Sequence, residues 1–435
     1  MNSEFSPLKF LKDNQNQEIS VSGWLHGQRG NNHIRFLQFR MNGKIIQIIA
    51  EKEAVGDESF KTIKSLDQES SIRVQGKVQP NEKAPYGYEI NLKSWELVGK
   101  ASDYPITPKD HGIDFLLDHR HLWIRSRKQL AILSLRNHIS FAIRKFFYEN
   151  GFTLIDTPIL TGSVGESGGE LFSLDYFDLG KAHLAQTGQL YLETAIFAHS
   201  QVYCFGPTFR AEKSKTKRHL TEFWMLEAEY AFQSNQESID FQEKMIQYLL
   251  RYVLEHGKDE LMQLERSVEI LERSTQNKFI RLEYREAIEL LKPTFPGIQF
   301  GDDINAEGEN WITNHYGNQP VFIMNYPKSI KAFYMKNNPN DPETVLCADL
   351  IAPEGVGEII GGSEREENQE ILIEKIKLEN LPLDEYSWYL DLRKYGSVPH
   401  SGFGMGLERF VSWITGVPHV RECIPYPRMI YRLNP

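Results

Sequence analysis

The sequence predicts an α+β chain in two parts: a small β-barrel over residues 1–98 and a larger mixed domain over 113–435, joined by a hinge at 99–112. Three observations predict it. Short alternating strands fill the first hundred residues, two prolines within four residues then break that pattern, and beyond them helical periodicities alternate irregularly with strand-like runs. A chain of 435 residues is also too long for one ordinary core.

The first element is residues 19–24 (Ile-Ser-Val-Ser-Gly-Trp), which alternate apolar and polar. Residues 34–39, 44–50, 71–78 and 88–97 follow the same pattern, separated by Gly, Asn and Pro, with a helix expected near 58–66. Five such strands suggest an OB-fold barrel, and another small β-barrel fits the pattern equally. In the stretch Ser102-Asp103-Tyr104-Pro105-Ile106-Thr107-Pro108 the two prolines block helix continuation, which suits a hinge. Beyond it, Ile132, Leu135, Ile139, Ile143 and Phe146 recur at helical spacing and predict a long helix ending near Gly151. A second long helix is expected over about 241–264, with Leu249, Leu250, Val253 and Leu254 on one side.

Hydrophobic content of 40% with 25% charged residues describes a soluble globular protein rather than a disordered one. No run of 18 apolar residues occurs, and the first residues lack a basic and then apolar pattern, so neither a membrane span nor a secretory signal is expected. Cys204, Cys347 and Cys423 are widely spaced and odd in number, which fits a reducing cytoplasm and speaks against a disulfide scaffold or zinc ribbon. The net charge of −10 argues against broad nucleic-acid binding. Residues 1–98 are nevertheless nearly balanced, with 13 Lys+Arg against 12 Asp+Glu, so an RNA-binding surface must be local.

Three segments carry chemistry. The first is FGPTFRAEKSKTKRHLTEFWMLEAEYAF, residues 205–232, read as strands at 208–212 and 220–229 around a loop. Arg210, Lys213, Lys215, Lys217 and Arg218 offer mobile cations to a polyphosphate or an RNA end, with Glu212 the one acid among them. A solvated charged hairpin is the plainer reading. It struggles with the second strand, where period two puts Phe223, Met225, Glu227 and Glu229 on one face, because carboxylates among apolar neighbours need partners. The second segment, HSGFGMGLERF at 400–410, has glycines at spacing two that admit a close backbone or a flat ligand, then opens a helix. It lacks the βαβ context of a dinucleotide-binding motif. The third, CADLIAPEGVGEIIGGSER at 347–365, carries Asp349, Glu354 and Glu358, hard oxygen ligands suited to Mg²⁺.

Taken together and in this order, these segments resemble the signature motifs of class II aminoacyl-tRNA synthetases. The first motif is the long helix followed by Gly151-Phe152-Thr153-Leu154-Ile155-Asp156-Thr157-Pro158. The second is FRAE…RHLTEF, and the third is GFGMGLER. The resemblance covers essentially the whole chain, and the barrel in front places it with the aspartyl/asparaginyl/lysyl subgroup. It implies an antiparallel sheet flanked by helices, and a homodimer built on the first motif. It also implies ATP and Mg²⁺ as requirements and tRNA as partner.

By motif matching, Arg210 bridges the ATP α-phosphate and the amino-acid carboxylate, and Phe223 and Arg409 cover the two adenine faces. Arg409 also reaches the γ-phosphate, Arg218 and His219 hold the β- and γ-phosphates, and Glu212 meets the adenine amine or the RNA end. Glu358 and Asp349 match the magnesium ligands. Arg210, Glu358 and Arg409 are thereby the expected catalytic groups. Glu166 and Gln189 match positions around the α-ammonium. Ser363 and Arg365 match the segment that meets the substrate side chain, where Arg365 can donate to a carboxylate or an amide oxygen alike. Arg29, Phe36 and Gln47 match anticodon-contacting positions.

The same resemblance separates asparagine from aspartate. Aspartyl enzymes carry a lysine three positions after the glutamine; here Leu192 stands there, and a substrate carboxylate loses a partner of about 1.5–3 kcal/mol. Glu227 replaces a shorter aspartate and suits an amide NH₂. The expectation is a cytoplasmic ligase joining asparagine to tRNA(Asn) through an adenylate. The alternatives are an aspartyl enzyme, perhaps charging both tRNAs, and a synthetase-derived paralogue that makes asparagine or only binds RNA.

Overall fold

In a computed structural model of the protein, residues 6–162 and 171–435 are described. They fall into two compact units, Met1–Ser126 and Arg127–Pro435. In the first, β1 (Glu18–Gly30), β2 (Ile34–Met41), β3 (Lys44–Glu51), β4 (Ser71–Pro80) and β5 (Tyr88–Gly99) close into a barrel ordered β1-β2-β3-β5-β4. Only β3 and β5 pair in parallel. Alternate side chains turn inward, so that Leu37, Phe39, Ile48, Val74 and Ile90 share one core. Each expected strand is present. β1 runs past residue 24 to Gly30 because a bulge between Leu25 and Gly27 resets its register against β2. The expected helix is Asp57–Lys64, which buries Phe60 and Ile63.

A buried charge cluster fixes one side of this unit. Arg40 donates twice to the Glu69 carboxylate at 2.6 Å, and Arg125 donates to it at 3.2 Å. Burial pushes the Glu69 carboxyl up, but His26, Arg40 and Arg125 outweigh it and hold the group at about 2. A depressed carboxyl stabilises the fold above its ordinary value of 4.5, and that contribution is lost as pH falls toward 2. Thermal melts between pH 5 and 2 (roughly the range of this titration) are therefore expected to be less pH-dependent in Glu69→Gln than in the parent.

The second unit opens with helix Arg127–Glu149, whose Ile132, Leu135, Ile139, Ile143 and Phe146 form the predicted stripe. Gly151 ends it with a left-handed φ of 82°. After β6 (Thr153–Leu154), the strands β7 (Leu160–Thr161), β8 (Ser173–Asp175) and β9 (Lys181–Leu184) make a small antiparallel sheet. The main sheet adds β10 (Gln201–Phe209), β11 (Glu222–Ala231), β12 (Ile280–Glu283) and β13 (Val321–Met324) to β6. It is completed by β14 (Cys347–Ala352), β15 (Gly357–Glu364) and β16 (His400–Gly406). The order is β12-β13-β14-β15-β16-β11-β10-β6. Six central strands are antiparallel, as the resemblance implied, but both edges are parallel pairs, β12 with β13 and β6 with β10. A parallel pair needs a crossover, and helices Tyr284–Leu291 and Ala306–His315 provide it between β12 and β13.

The helix expected over 241–264 begins earlier and is divided into Asn235–His256 and Lys258–Gln263. A capping box sets the start: Ser234 Oγ accepts from the Glu237 N–H while the Glu237 carboxylate accepts from the Ser234 N–H. Gly257 makes the division. No helix among the described residues is long and apolar enough to cross a membrane.

Candidate active site

Three neighbouring strands build the site. β16 pairs with β11 on one side and β15 on the other, which aligns Glu227 with Gly404, Glu229 with Gly402, and Ser363 with Gly402. Along β11, Leu226, Ala228 and Tyr230 face the core. The opposite face carries Phe223, Met225, Glu227 and Glu229, as period two predicts. The strands are shorter than expected at the hairpin, and residues 210–221 form a loop.

Basic groups from this loop and from helix Leu407–Thr415 converge. The Arg210 guanidinium lies 5.4 Å from the Phe223 ring centroid. Arg409 donates through Nη1 to the Glu358 carbonyl at 2.8 Å and through Nε to the Arg218 carbonyl at 3.3 Å. Arg218 Nη1 donates to Glu309 at 2.6 Å, and Nη2 to the Gly355 carbonyl at 2.6 Å. Gly357, at φ 81°, makes room for that pair, since a Cβ there would overlap both charged groups. Burial, and after it the field of Arg409, pushes the His219 imidazole below its ordinary value; Arg210 and Arg218 act in the same direction and Glu212 opposes them. Arg210, Glu212, Arg218, His219, Phe223 and Arg409 thus share one neighbourhood.

Opposite these cations stand the acids. Gly361 on β15 pairs with Asp349 on β14, and a Cβ at Gly361 would lie 3.1 Å from Glu358 Oε1 and 3.5 Å from Asp349 Oδ1. Both carboxylates therefore border the strip left by this glycine. Lys331 Nζ donates to Asp349 Oδ2 at 2.5 Å. Burial pushes the Asp349 carboxyl up to about 6, against the pull of Lys331. Among the described residues no group of three or more His, Cys, Asp or Glu side chains forms a metal cage. Two carboxylates still fit Mg²⁺ where substrate phosphates complete its shell. Sequence reasoning did not find Lys331 or Glu309, each distant in sequence from the acid or arginine it meets.

At the other end of the site, Arg365 donates through Nε to Glu229 at 3.2 Å, through Nη2 to the same carboxylate, and through Nη1 to Ser363 Oγ at 2.6 Å. Burial pushes the Glu229 carboxyl up to about 7 while Arg365 pulls it down. Glu229 fits because Gly402 has no side chain; a Cβ there would overlap the carboxylate. Gly402→Ala is accordingly expected to break this ion pair and to lower the melting temperature by at least 5 °C, roughly 3 kcal/mol for a unit of this size. Glu227 accepts from the Gly188 N–H at 2.7 Å and from the Thr187 hydroxyl, so it anchors the start of helix Gln189–His199. Leu192 is fully buried in an apolar cluster with Ile196, Val202, Cys204 and Ala231 and brings no polar group to the pocket. Glu166 lies outside the described residues. Glu408, for which the sequence suggested no role, is buried, accepts from the Trp224 N–H at 3.0 Å and forms an ion pair with Arg136 Nη1 at 2.7 Å, tying the helix of Arg409 to β11.

On the barrel, Arg29 and Phe36 are cross-strand partners, with the guanidinium 5.8 Å from the ring centroid. Gln47 Nε2 donates to Glu89 at 2.9 Å, and Asn81 Nδ2 donates to the same carboxylate at 2.8 Å. Glu89 was not among the expected residues, although it orients Gln47.

Residues 112–430 match the family model described as tRNA synthetases class II (D, K and N), and residues 19–98 match the OB-fold nucleic acid binding domain. The structure is similar to that of asparaginyl-tRNA synthetase from Pyrococcus horikoshii complexed with asparaginyl-adenylate, with 39% identity and a TM-score of 0.94 over 100% of both chains. It is also similar to Entamoeba histolytica asparaginyl-tRNA synthetase in complex with asparaginyl-adenylate, with 30% identity and a TM-score of 0.86 over 97% of each chain. Aspartyl tRNA synthetase from Entamoeba histolytica shares the fold at 24% identity, with a TM-score of 0.82 over 99% of this chain and 93% of that one.

Proposed function

The chain belongs to the class II tRNA synthetases (D, K and N), and from that membership we propose that it ligates asparagine to tRNA(Asn). The observation that carries the amino-acid choice is the charge around the inner pocket. Glu193, Glu227 and Glu229 are buried there; Arg365 is already paired with Glu229 and Arg393 with Glu193, while Glu227 is held by Thr187 and Gly188. Leu192 supplies no further cation. A substrate carboxylate would add a further acid to this group, whereas an amide adds none and can still accept from Arg365.

In the first step an oxygen of the asparagine carboxylate attacks the ATP α-phosphorus, and the bond to the bridging oxygen breaks to release pyrophosphate. In the second, a hydroxyl of the tRNA 3′-terminal ribose attacks the aminoacyl carbonyl and AMP leaves. No side chain acts as nucleophile, so the protein contributes position and charge. Arg210 is assigned to the α-phosphate and the carboxylate, Phe223 and Arg409 to the adenine faces, Arg218 and His219 to the outer phosphates, and Glu212 to the adenine amine or RNA end. A magnesium ion, for which Glu358 and Asp349 are the fitting ligands, would neutralise phosphate charge. Gln189 and Glu166 are assigned to the α-ammonium, and Ser363 and Arg365 to the side-chain end. Exposed Phe141, Tyr148 and Leu154 on the first motif support a homodimer, and the unpaired buried cysteines fit a cytoplasmic setting.

Amino-acid-dependent ATP–pyrophosphate exchange across the twenty amino acids tests this reading. Asparagine alone should support exchange; exchange with aspartate at comparable efficiency would overturn it. Arg29, Phe36 and Gln47 are assigned to the anticodon. Phe36→Ala should weaken tRNA charging by about 1–3 kcal/mol, the worth of one stacked base, with exchange unchanged in a parallel assay.

A further inference from the structure

Glu193 is fully buried on helix Gln189–His199, one turn after Gln189 and on the same face. Four side chains donate to it: Gln189 Nε2 at 3.0 Å, Tyr389 Oη at 2.9 and 2.8 Å to its two oxygens, Arg393 Nη2 at 2.8 Å, and His400 Nε2 at 3.0 Å. Tyr389 and Arg393 come from helix Ser387–Lys394, and His400 opens β16. Burial pushes the Glu193 carboxyl up, but Arg393 and His400 outweigh it, and the group is held well below its ordinary range.

We propose that Glu193 is a positioning residue for the amino-acid substrate, fixing the Gln189 amide so that its oxygen faces the substrate α-ammonium. An ionised carboxylate only accepts, so the end of the Gln189 amide that meets it must be the NH₂. The amide oxygen then points the other way. Among the described residues the side-chain bond of Gln189 is the one to Glu193, and its backbone N–H donates to Thr187 Oγ1 at 3.0 Å. The amide oxygen of a buried glutamine without a donor among the described residues is suited to a cationic one from a ligand. Were the amide free to flip, its NH₂ would face the ammonium and repel it. The inference rests on the reading of Gln189 as a substrate contact.

The test compares two sulfamoyl-linked adenylate analogues by calorimetry, one carrying asparagine and one carrying succinamic acid, its counterpart without the α-amino group. Glu193→Gln should weaken the first roughly ten- to a hundredfold, the worth of a hydrogen bond to a charged group. The second should change less than twofold. Equal weakening of both would reduce Glu193 to a structural tie, and no change in either would remove its role; both results overturn the proposal. If Glu193→Gln does not fold, Glu193→Asp keeps the charge that Arg393 needs while drawing back from Gln189, and carries the same expectation. Gln189→Ala separates the assignment of Gln189 from the role of Glu193. If it fails to discriminate between the analogues, the assignment of Gln189 itself is wrong; if it discriminates and the Glu193 variants do not, only the proposal fails.

Discussion

Arg409→Ala should lower asparagine-dependent pyrophosphate exchange by about 100- to 1000-fold, the usual loss when one preorganised charge is removed from a transition state. Arg409 is held by the carbonyl oxygens of Glu358 and Arg218, which orient the guanidinium without neutralising it. Its nearest carboxylate contact, to Glu358, is a long 4.0 Å. The positive charge therefore remains available to a polyphosphate. Removing it strands little, because Glu358 is substantially solvent-exposed. Circular dichroism and melting temperature should match the parent, and exchange retained within tenfold would refute the placement of the nucleotide here.

The second large effect combines stability with activity. Arg365→Ala leaves Glu229 buried without its partner, and breaking such a pair from one side costs about 3–5 kcal/mol. Calorimetric melting should show that loss as a clearly lower transition, and exchange should fall below detection. Arg365→Lys restores a charge but not the fork that meets Glu229 with two nitrogens and Ser363 with the third. It should recover part of the stability while the KM for asparagine stays high. Full activity in either variant would remove Arg365 from the amino-acid pocket.

How much of the fold and the site was legible in the sequence depended on the range of the interaction. The face of β11 that carries Phe223, Met225, Glu227 and Glu229 followed from period two alone, because strand geometry is local. The stripe on helix Arg127–Glu149 was equally plain. The start of helix Asn235–His256 was misplaced because Ser234 and Glu237 were not read as a capping pair, though that signal is present in the sequence. The parallel edges of the main sheet had no local signature. Nor did the partners of the buried acids: Arg393 and His400 lie about 200 residues from Glu193, as Arg365 lies 136 from Glu229. The buried glutamates announced that partners must exist, not which ones.

The order of the main sheet has a consequence for how the protein comes to be folded. β16, the last strand of the sheet to be synthesised, lies between β15 and β11. Before it arrives, one side holds β12 to β15, the other holds β6, β10 and β11, and each exposes an unsatisfied strand edge at its inner rim. Such a gap is closed only by long-range pairing, which is slow. A nascent chain on the ribosome must therefore shield two sticky borders until the keystone slides in, and nucleotide-binding competence should emerge in that same final event.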